Sequence, residues 1–117
     1  MSADLHIDVT DQPGQLPVAA VAGPLDLHTA PRLYRHATHV LQRYPSLILG
    51  LAGVTFCDSS GLNSLIRLRR RAQEAGGRLI LAGPPPQLAR MLALTGADTI
   101  LPVHGSVAEA QAAHSVT

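Results

Sequence analysis

An apolar strand is predicted to pass into a helix across the segment Val54-Thr55-Phe56-Cys57-Asp58-Ser59-Ser60-Gly61-Leu62. We call its centre, Asp58-Ser59-Ser60-Gly61, the serine corner. Asp and Ser side chains accept hydrogen bonds from the first backbone N–H groups of a helix, so one of the three polar residues is predicted to cap a helix over residues 62–75. Three polar side chains exceed what one cap needs, and the positive end of the helix dipole would favour a phosphate there. The corner is therefore either a plain helix start or a functional surface.

The composition favours a single α/β domain that spans residues 1–117. Hydrophobic residues make up 46% of the chain but aromatic residues only 3%, so the core must be built from Leu, Val, Ile and Ala packed between layers. Cys57 is the only cysteine, which excludes an intramolecular disulfide. Neither a signal peptide nor a long apolar run is visible, so we expect a cytoplasmic protein.

The charge balance argues against two classes of partner. Lys and Arg number 9 and Asp and Glu number 8, which leaves no basic surface of the kind that binds nucleic acid or an anionic membrane. The expected partner is therefore another protein, and the domain is expected to be a monomer without cofactor or metal ion.

Before the serine corner, apolar periodicity and turn residues predict three strands and one helix. Gly23-Pro24 is predicted to end the second strand, and the nearly continuous apolar run of the third predicts a central position, buried on both faces. The predicted elements are strands over residues 5–9, 16–22 and 47–52, and a helix that Thr29 caps and Pro45 stops.

After the corner, helices alternate with short strands. The helix over residues 62–75 carries an apolar stripe that includes Ala75, and Gly76-Gly77 is predicted to end it. The remaining predicted elements are a strand over 79–82, a short helix closed by Gly96, a strand over 99–103, a final helix with a Ser106–Glu109 capping box, and a frayed tail over 115–117. Together they predict a small mixed sheet layered with about four helices, which need not cover both faces.

The segment Cys57-Asp58-Ser59-Ser60-Gly61-Leu62, preceded by the apolar run 47–51, resembles the signature of STAS domains of the anti-sigma factor antagonist type. Residues 21–30 are similar to the early "G-x-L-D" segment of that family. Residues 92–97 are similar to its late "L-x-x-x-G" segment, and the order is the same. The resemblance covers nearly the whole chain and implies a small mixed sheet with several helices.

The resemblance implies a switch at Ser59, the position that a partner kinase phosphorylates in this family. The unmodified form would bind an anti-sigma factor that is a serine kinase and so release a sigma factor, and a serine phosphatase would reset the switch. Asp58 would assist recognition, whereas Ser60 would be mainly structural. The implied partner-binding residues are Asp26, Asp58, Ser59, Ser60, Gly61, Leu62 and Asn63. On residue chemistry alone, a plain helix cap is the favoured interpretation of Ser59, and a solvated turn residue is an equal alternative for Asp26.

Two positions depart from the pattern that the family implies. Gly50 stands where many relatives have an acidic or amide residue, and Asn63 stands where many have a second small glycine. The departure at Gly50 affects the residues that support the site, and the departure at Asn63 adds a side chain near the contact surface.

Other functions fit the sequence less well. The Gly-x-Ser-x-Gly elbow of a serine hydrolase is missing, so we expect no enzyme. His36 and His39 share a helix face without a His-Glu-x-x-His pattern, which favours a solvated pair over a metal site. Cys57 is expected to be a small buried hydrophobic residue and not a redox sensor. The alternative function is that of a non-catalytic STAS subunit in a transporter or a larger sensing assembly.

The arginines of the helix after the corner allow two interpretations. Arg67, Arg70 and Arg71 either form a solvated face or meet an acidic patch of a partner. Arg69 falls inside the apolar sector, and we expect its stem to run along the edge of the core.

Overall fold

Five strands form one mixed sheet in the computed structural model, which describes residues 4–114. The strands are β1 (His6–Thr10), β2 (Val18–Leu25), β3 (Leu47–Cys57), β4 (Leu79–Ala82) and β5 (Val103–His104). They lie in the order β1-β2-β3-β4-β5, with β1 antiparallel to β2 and the other neighbours parallel. The mixed α/β sheet expected from the sequence is confirmed. The predicted frayed tail over 115–117 lies outside the described residues.

Within residues 4–114, four helices cover the sheet, and they divide between its two faces. They are α1 (Ala30–Leu41), α2 (Ser59–Glu74), α3 (Pro86–Thr95) and α4 (Val107–Ala113), with a short 3₁₀ helix at Ala97–Thr99. The first three helices contribute Leu33, Leu65 and Leu88 to the larger core, whereas α4 contributes Ala110 to a smaller core. The helices therefore cover both faces, although the seven-residue α4 covers only part of the second.

The central strand is β3, as its apolar run predicts. Residues 47–51 are all buried. Because side chains alternate along a strand, Leu47 and Leu49 enter the larger core while Ile48 enters the smaller one with Ile80. Helices on both faces explain why this segment lacks the polar alternation of a half-exposed strand.

The prediction that Gly23-Pro24 ends the second strand is wrong, because β2 continues to Leu25. The pairing of β2 with β3 shifts register between Gly23 and Pro24, so both residues remain in the strand at a local irregularity of the pairing. Gly23 has a φ of +110°, and a Cβ there would lie 2.4 Å from the Asp4 carbonyl oxygen. The strand thus reaches far enough to place Leu25 beside the end of β3.

The last predicted strand, over residues 99–103, is also wrong in extent. The N–H groups of Thr99, Ile100 and Leu101 donate to the carbonyl groups of Gly96 and Ala97. These bonds form the 3₁₀ turn and leave only Val103–His104 to pair with β4. A local turn replaces the sheet ladder here because Gly96 adopts a left-handed conformation, with a φ of +75°.

The end of α2 agrees with its prediction, whereas α1, which Pro45 is predicted to stop, already ends at Leu41. Gly76, with a φ of +84°, follows α2; the N–H of Gly77 donates to Ala72 and that of Gly76 to Gln73. These two bonds are a Schellman ending. Ala75, by contrast, is exposed and does not belong to the apolar stripe.

The capping box predicted for the last helix forms in part. The Ser106 hydroxyl accepts the N–H of Glu109 at 3.1 Å, as expected. The Glu109 carboxylate, however, accepts the N–H of Gly105 at 2.9 Å in place of that of Ser106.

Candidate functional site

The serine corner lies at the edge of the sheet where β2 and β3 end side by side. Leu25 pairs with Cys57, the last residue of β3. The loop 26–29 leads from β2 into α1, and Asp58 leads from β3 into α2. The parallel strands therefore bring two helix N-termini together at the carboxyl-end edge of the sheet.

Asp58 is the cap of α2, which resolves the choice among three polar residues. Its backbone is extended, and its Oδ1 accepts the N–H of Gly61 at 2.9 Å. Its Oδ2 accepts the N–H of Leu27 from the neighbouring loop at 3.2 Å. The Asp58 N–H in turn donates to the Leu25 carbonyl group at 3.2 Å. One carboxylate thus starts the helix and fastens the β2–α1 loop to the corner.

Ser59 and Ser60 are the first two residues of α2, so the helix begins three residues earlier than predicted. Ser59 is exposed and Ser60 is half-buried. Within residues 4–114, no hydrogen bond involves either side-chain hydroxyl. Because Asp58 supplies the cap, the Ser59 hydroxyl stands free at the positive end of the helix dipole.

Gly61 allows the first turn of α2 to approach the strand ends. A Cβ at this position would lie 2.4 Å from the Leu25 carbonyl oxygen and 2.8 Å from the Cys57 Sγ. Gly61 and Leu62 are buried, whereas Asn63 is exposed. Of these three predicted contact residues, Asn63 has an exposed side chain, and the other two are buried and position the corner.

Asp26 shapes the loop that faces the corner. Its Oδ1 accepts the N–H groups of His28 at 2.9 Å and Thr29 at 3.1 Å, which is the behaviour of an Asp in a turn. The Thr29 hydroxyl donates to the Pro24 carbonyl group at 2.8 Å and makes no capping bond to α1. The predicted role of Thr29 as a side-chain cap is therefore wrong, since its hydroxyl holds the loop to β2.

Gln87, the second residue of α3, holds the end of β3 and was not identified from the sequence. Its Oε1 accepts the Cys57 N–H at 2.9 Å, and its Nε2 donates to the Cys57 carbonyl group at 2.8 Å. The β3–β4 pairing ends at Gly50 and Ala82, so this side-chain amide binds the edge of β3 that faces away from β2, where no strand within residues 4–114 pairs with it. A polar residue in the first turn of a helix carries no sequence signal for such a contact.

Cys57 is fully buried in the larger core. Burial, and secondarily the nearby charge of Asp58, raises the pKa of its thiol to about 11. The thiol therefore stays protonated at neutral pH, which is the behaviour of a buried hydrophobic residue and not of a reactive cysteine.

A groove of about 200 Å³ runs beside the corner between the N-terminal parts of α1 and α2. We call it the α1–α2 groove; its lining includes Leu27, Pro31, Ser60, Asn63 and Arg67. Leu27 is 66% exposed at its rim.

The arginines of α2 take different roles. The Arg67 guanidinium lies 4.2 Å from the centre of the Tyr34 ring, which places its charge at the α1–α2 groove. Arg70 and Arg71 are exposed. Arg69 is half-buried, and its Nε donates to the Ile100 carbonyl group at 2.8 Å, in agreement with the expected position at the edge of the core.

Two further sequence features concern metals and membranes. His36 and His39 are exposed on α1, and residues 4–114 contain no cluster of three or more potential metal-ligating side chains of the His, Cys, Asp or Glu type. In the same part of the chain, no helix has the length and apolar character to cross a membrane.

Comparison with known proteins places this arrangement in a family. A model of the STAS domain family matches residues 6–110. The chain is 26% identical over 103 residues to the anti-sigma F factor antagonist of Paenibacillus polymyxa, covering 86% of this chain and 87% of the relative. It is 25% identical over 100 residues to the anti-sigma-B factor antagonist of Bacillus subtilis, covering 86% and 91%.

Solved structures of other proteins support the same family assignment. An anti-sigma factor antagonist from Mycobacterium paratuberculosis matches with a TM-score of 0.85 and 28% identity over 97% of both chains. A sulfate transporter family protein from Wolinella succinogenes shares the fold, with a TM-score of 0.71 and 22% identity over 82% of this chain and 81% of that one. The resemblance found in the sequence is confirmed: this chain belongs to the STAS domain family.

Proposed function

We propose that this domain is an anti-sigma factor antagonist that works by partner switching. In its unmodified form it binds an anti-sigma factor that is also a serine kinase, and a sigma factor is thereby released for transcription. Phosphorylation of Ser59 ends this binding, and a serine phosphatase restores it. The role is protein binding without catalysis.

The observation that carries the proposal is the free, exposed hydroxyl of Ser59. A kinase needs an acceptor hydroxyl that it can reach, and a capping serine would have its oxygen engaged with the helix backbone. Asp58 takes over that capping task through its bond to Gly61. Ser60 is less exposed, so Ser59 is the better acceptor.

The named relatives support the same function. Two curated relatives covered over most of their length are antagonists of anti-sigma F and anti-sigma-B factors. The sulfate transporter family protein from Wolinella succinogenes is only 22% identical, so this similarity supports the fold but not a function. The alternative of a subunit in a transporter or sensing assembly therefore has less support.

A phosphate on Ser59 would act at the interface and leave the fold intact. It adds about −1.5 to −2 charges. At an exposed helix N-terminus such charge is favourable by roughly 0.3–1 kcal/mol, so α2 should persist. A partner surface matched to a hydroxyl would instead have to desolvate a strongly hydrated dianion next to Asp58, at a cost of several kcal/mol if unpaired. Each 1.4 kcal/mol lowers the affinity about tenfold.

The test begins with a pull-down from the native host. We expect a small ATP-binding protein of the serine-kinase type, and recovery of transporter subunits alone would favour the alternative.

With this kinase and ATP, Ser59→Ala should bind but not be phosphorylated, and Ser59→Asp should bind at least about tenfold more weakly. Ser60→Ala is the matched control and should still be phosphorylated. Mass spectrometry and binding titration decide between outcomes: phosphate on Ser60 alone, or equal affinity of both forms, contradicts the proposal.

A further inference from the structure

We infer that the α1–α2 groove binds a segment of the anti-sigma factor in which an apolar side chain and a carboxylate lie roughly 10 Å apart, and that Leu27 and Arg67 select this segment. Leu27 lies at the start of α2, where Asp58 binds its N–H, and Arg67 lies seven positions after Ser60 along that helix, which is about 10 Å at 1.5 Å of rise per residue. The inference rests on the proposed function and adds to it the chemistry of the partner surface.

The apolar end of the groove is held in a fixed position. Leu27 leaves 66% of its surface exposed although its backbone N–H is bound by Asp58 at 3.2 Å. Pro31 continues this apolar wall in the first turn of α1, where its ring restricts the backbone. A large aliphatic side chain on a fastened loop, beside a concave surface, can bury area on binding without first being ordered.

The other end of the groove carries one unsatisfied positive charge. Among the described residues that line the groove, Arg67 alone is charged, and its guanidinium stacks on Tyr34. Within residues 4–114, the only ion pair within 4.0 Å joins Arg32 to Asp4, so Arg67 has no carboxylate partner in this part of the chain. A guanidinium held in this way is suited to a carboxylate, which it can bind through two parallel hydrogen bonds.

Nearby acidic groups do not compete for Arg67. The carboxylates of Asp58 and Asp26 accept backbone N–H groups of the corner and the adjoining loop. The groove therefore presents an apolar end and a cationic end, and the complementary segment is apolar at one end and acidic at the other.

The first test measures binding of the captured anti-sigma factor by calorimetry. Arg67→Glu should weaken binding at least about tenfold, because it places like charges opposite each other. Leu27→Ala should also weaken binding, by about fivefold or more. Arg90→Glu makes the same charge change at an exposed position of α3, outside the groove, and should change the affinity less than about twofold. Equal affinities of wild type, Arg67→Glu and Leu27→Ala would overturn the inference.

A second test uses the full chain without the anti-sigma factor. An alanine-based helical peptide with Leu and Glu seven residues apart is titrated against the ¹⁵N-labelled protein, with a Leu–Lys peptide as its matched control. We expect amide shifts at Leu27, Asn63 and Arg67 with the Leu–Glu peptide only, and Arg67→Glu should reverse the preference. The inference is contradicted if the amide shifts occur elsewhere, if the two peptides give equal shifts, or if neither peptide gives shifts at millimolar concentration.

The two tests separate the inference from the proposed function. If no anti-sigma factor is captured but the peptides discriminate, the proposed function fails and the binding chemistry of the groove stands. If the anti-sigma factor binds but is indifferent to Arg67 and Leu27, the proposed function stands and the inference fails.

Discussion

Each residue of the serine corner has its own structural role, and the local sequence alone does not show which residue has which role. Asp58 caps the helix, Ser59 presents a free hydroxyl, and Gly61 fits against the ends of two strands. The carboxylate reaches the N–H of Gly61, three residues on, in the usual geometry of a cap. The tasks are separate because capping engages one side chain and leaves the next one to face solvent.

We expect Gly61→Ala to destabilise the fold by about 1–3 kcal/mol, the usual cost of overpacking a tight contact. The added methyl group would meet the Leu25 carbonyl oxygen at 2.4 Å, and a backbone atom cannot move aside cheaply. Urea unfolding measures the change in the free energy of unfolding. Asn63→Ala, at an exposed position of the same helix, is the control and should stay within about 0.5 kcal/mol of wild type. A Gly61→Ala variant as stable as this control would contradict the packing argument.

At the scale of elements, the corner depends on a contact between α3 and β3. Only the first part of β3 is flanked on both sides by strands, because β4 pairs with Leu47 to Gly50 and no further. At its far end, the amide of Gln87 makes two hydrogen bonds with the backbone of Cys57. The third helix therefore helps to fix the residue directly before the serine corner.

We expect Gln87→Ala to lower the free energy of unfolding by about 1–2 kcal/mol, since each lost hydrogen bond contributes roughly 0.5–1.5 kcal/mol net. The more specific expectation is faster hydrogen exchange of the Cys57 amide, which loses its acceptor. Arg90→Ala, one turn further along α3 and exposed, is the matched control. Unchanged protection of the Cys57 amide in Gln87→Ala would show that the contact does not hold β3 in solution.

At the scale of the whole molecule, two histidines fasten the end of α4 to the sheet. The Nε2 atoms of His104, in β5, and His114, just after α4, lie 2.9 Å apart. Such a bond requires that at least one imidazole is neutral. Partial burial, together with the charges of His104 and Arg78, lowers the pKa of His114 below its usual value of 6.5.

We expect this pair to make the stability of the protein fall as the pH decreases below about 6.5. His114 takes up a proton more readily in the unfolded chain than in the folded one, so the unfolded state binds more protons in that range. His114→Gln should show a shallower loss of stability between pH 7 and pH 5 in thermal unfolding. The comparison with wild type removes the contribution of the other histidines, and identical pH profiles would contradict the expectation.

The sequence by itself determined the order of the elements and the place of the corner, because those signals are local. Apolar periodicity predicted β3 and its central position, and Gly76 and Gly96 marked helix ends through left-handed conformations that glycine adopts readily. The motif around Ser59, together with the similar segments 21–30 and 92–97, indicated the STAS family, which the family comparison confirms.

Tertiary structure alone decided how the corner is built, because the deciding contacts join residues about 30 positions apart. Asp58 became the fastening point once the Leu27 N–H reached it from another loop, and Gln87 met Cys57 only through the packing of α3. β2 ran on through Gly23-Pro24 because β3 was there to pair with it. Propensity describes a residue among its sequence neighbours, whereas these hydrogen bonds depend on which distant backbone groups the fold brings within reach.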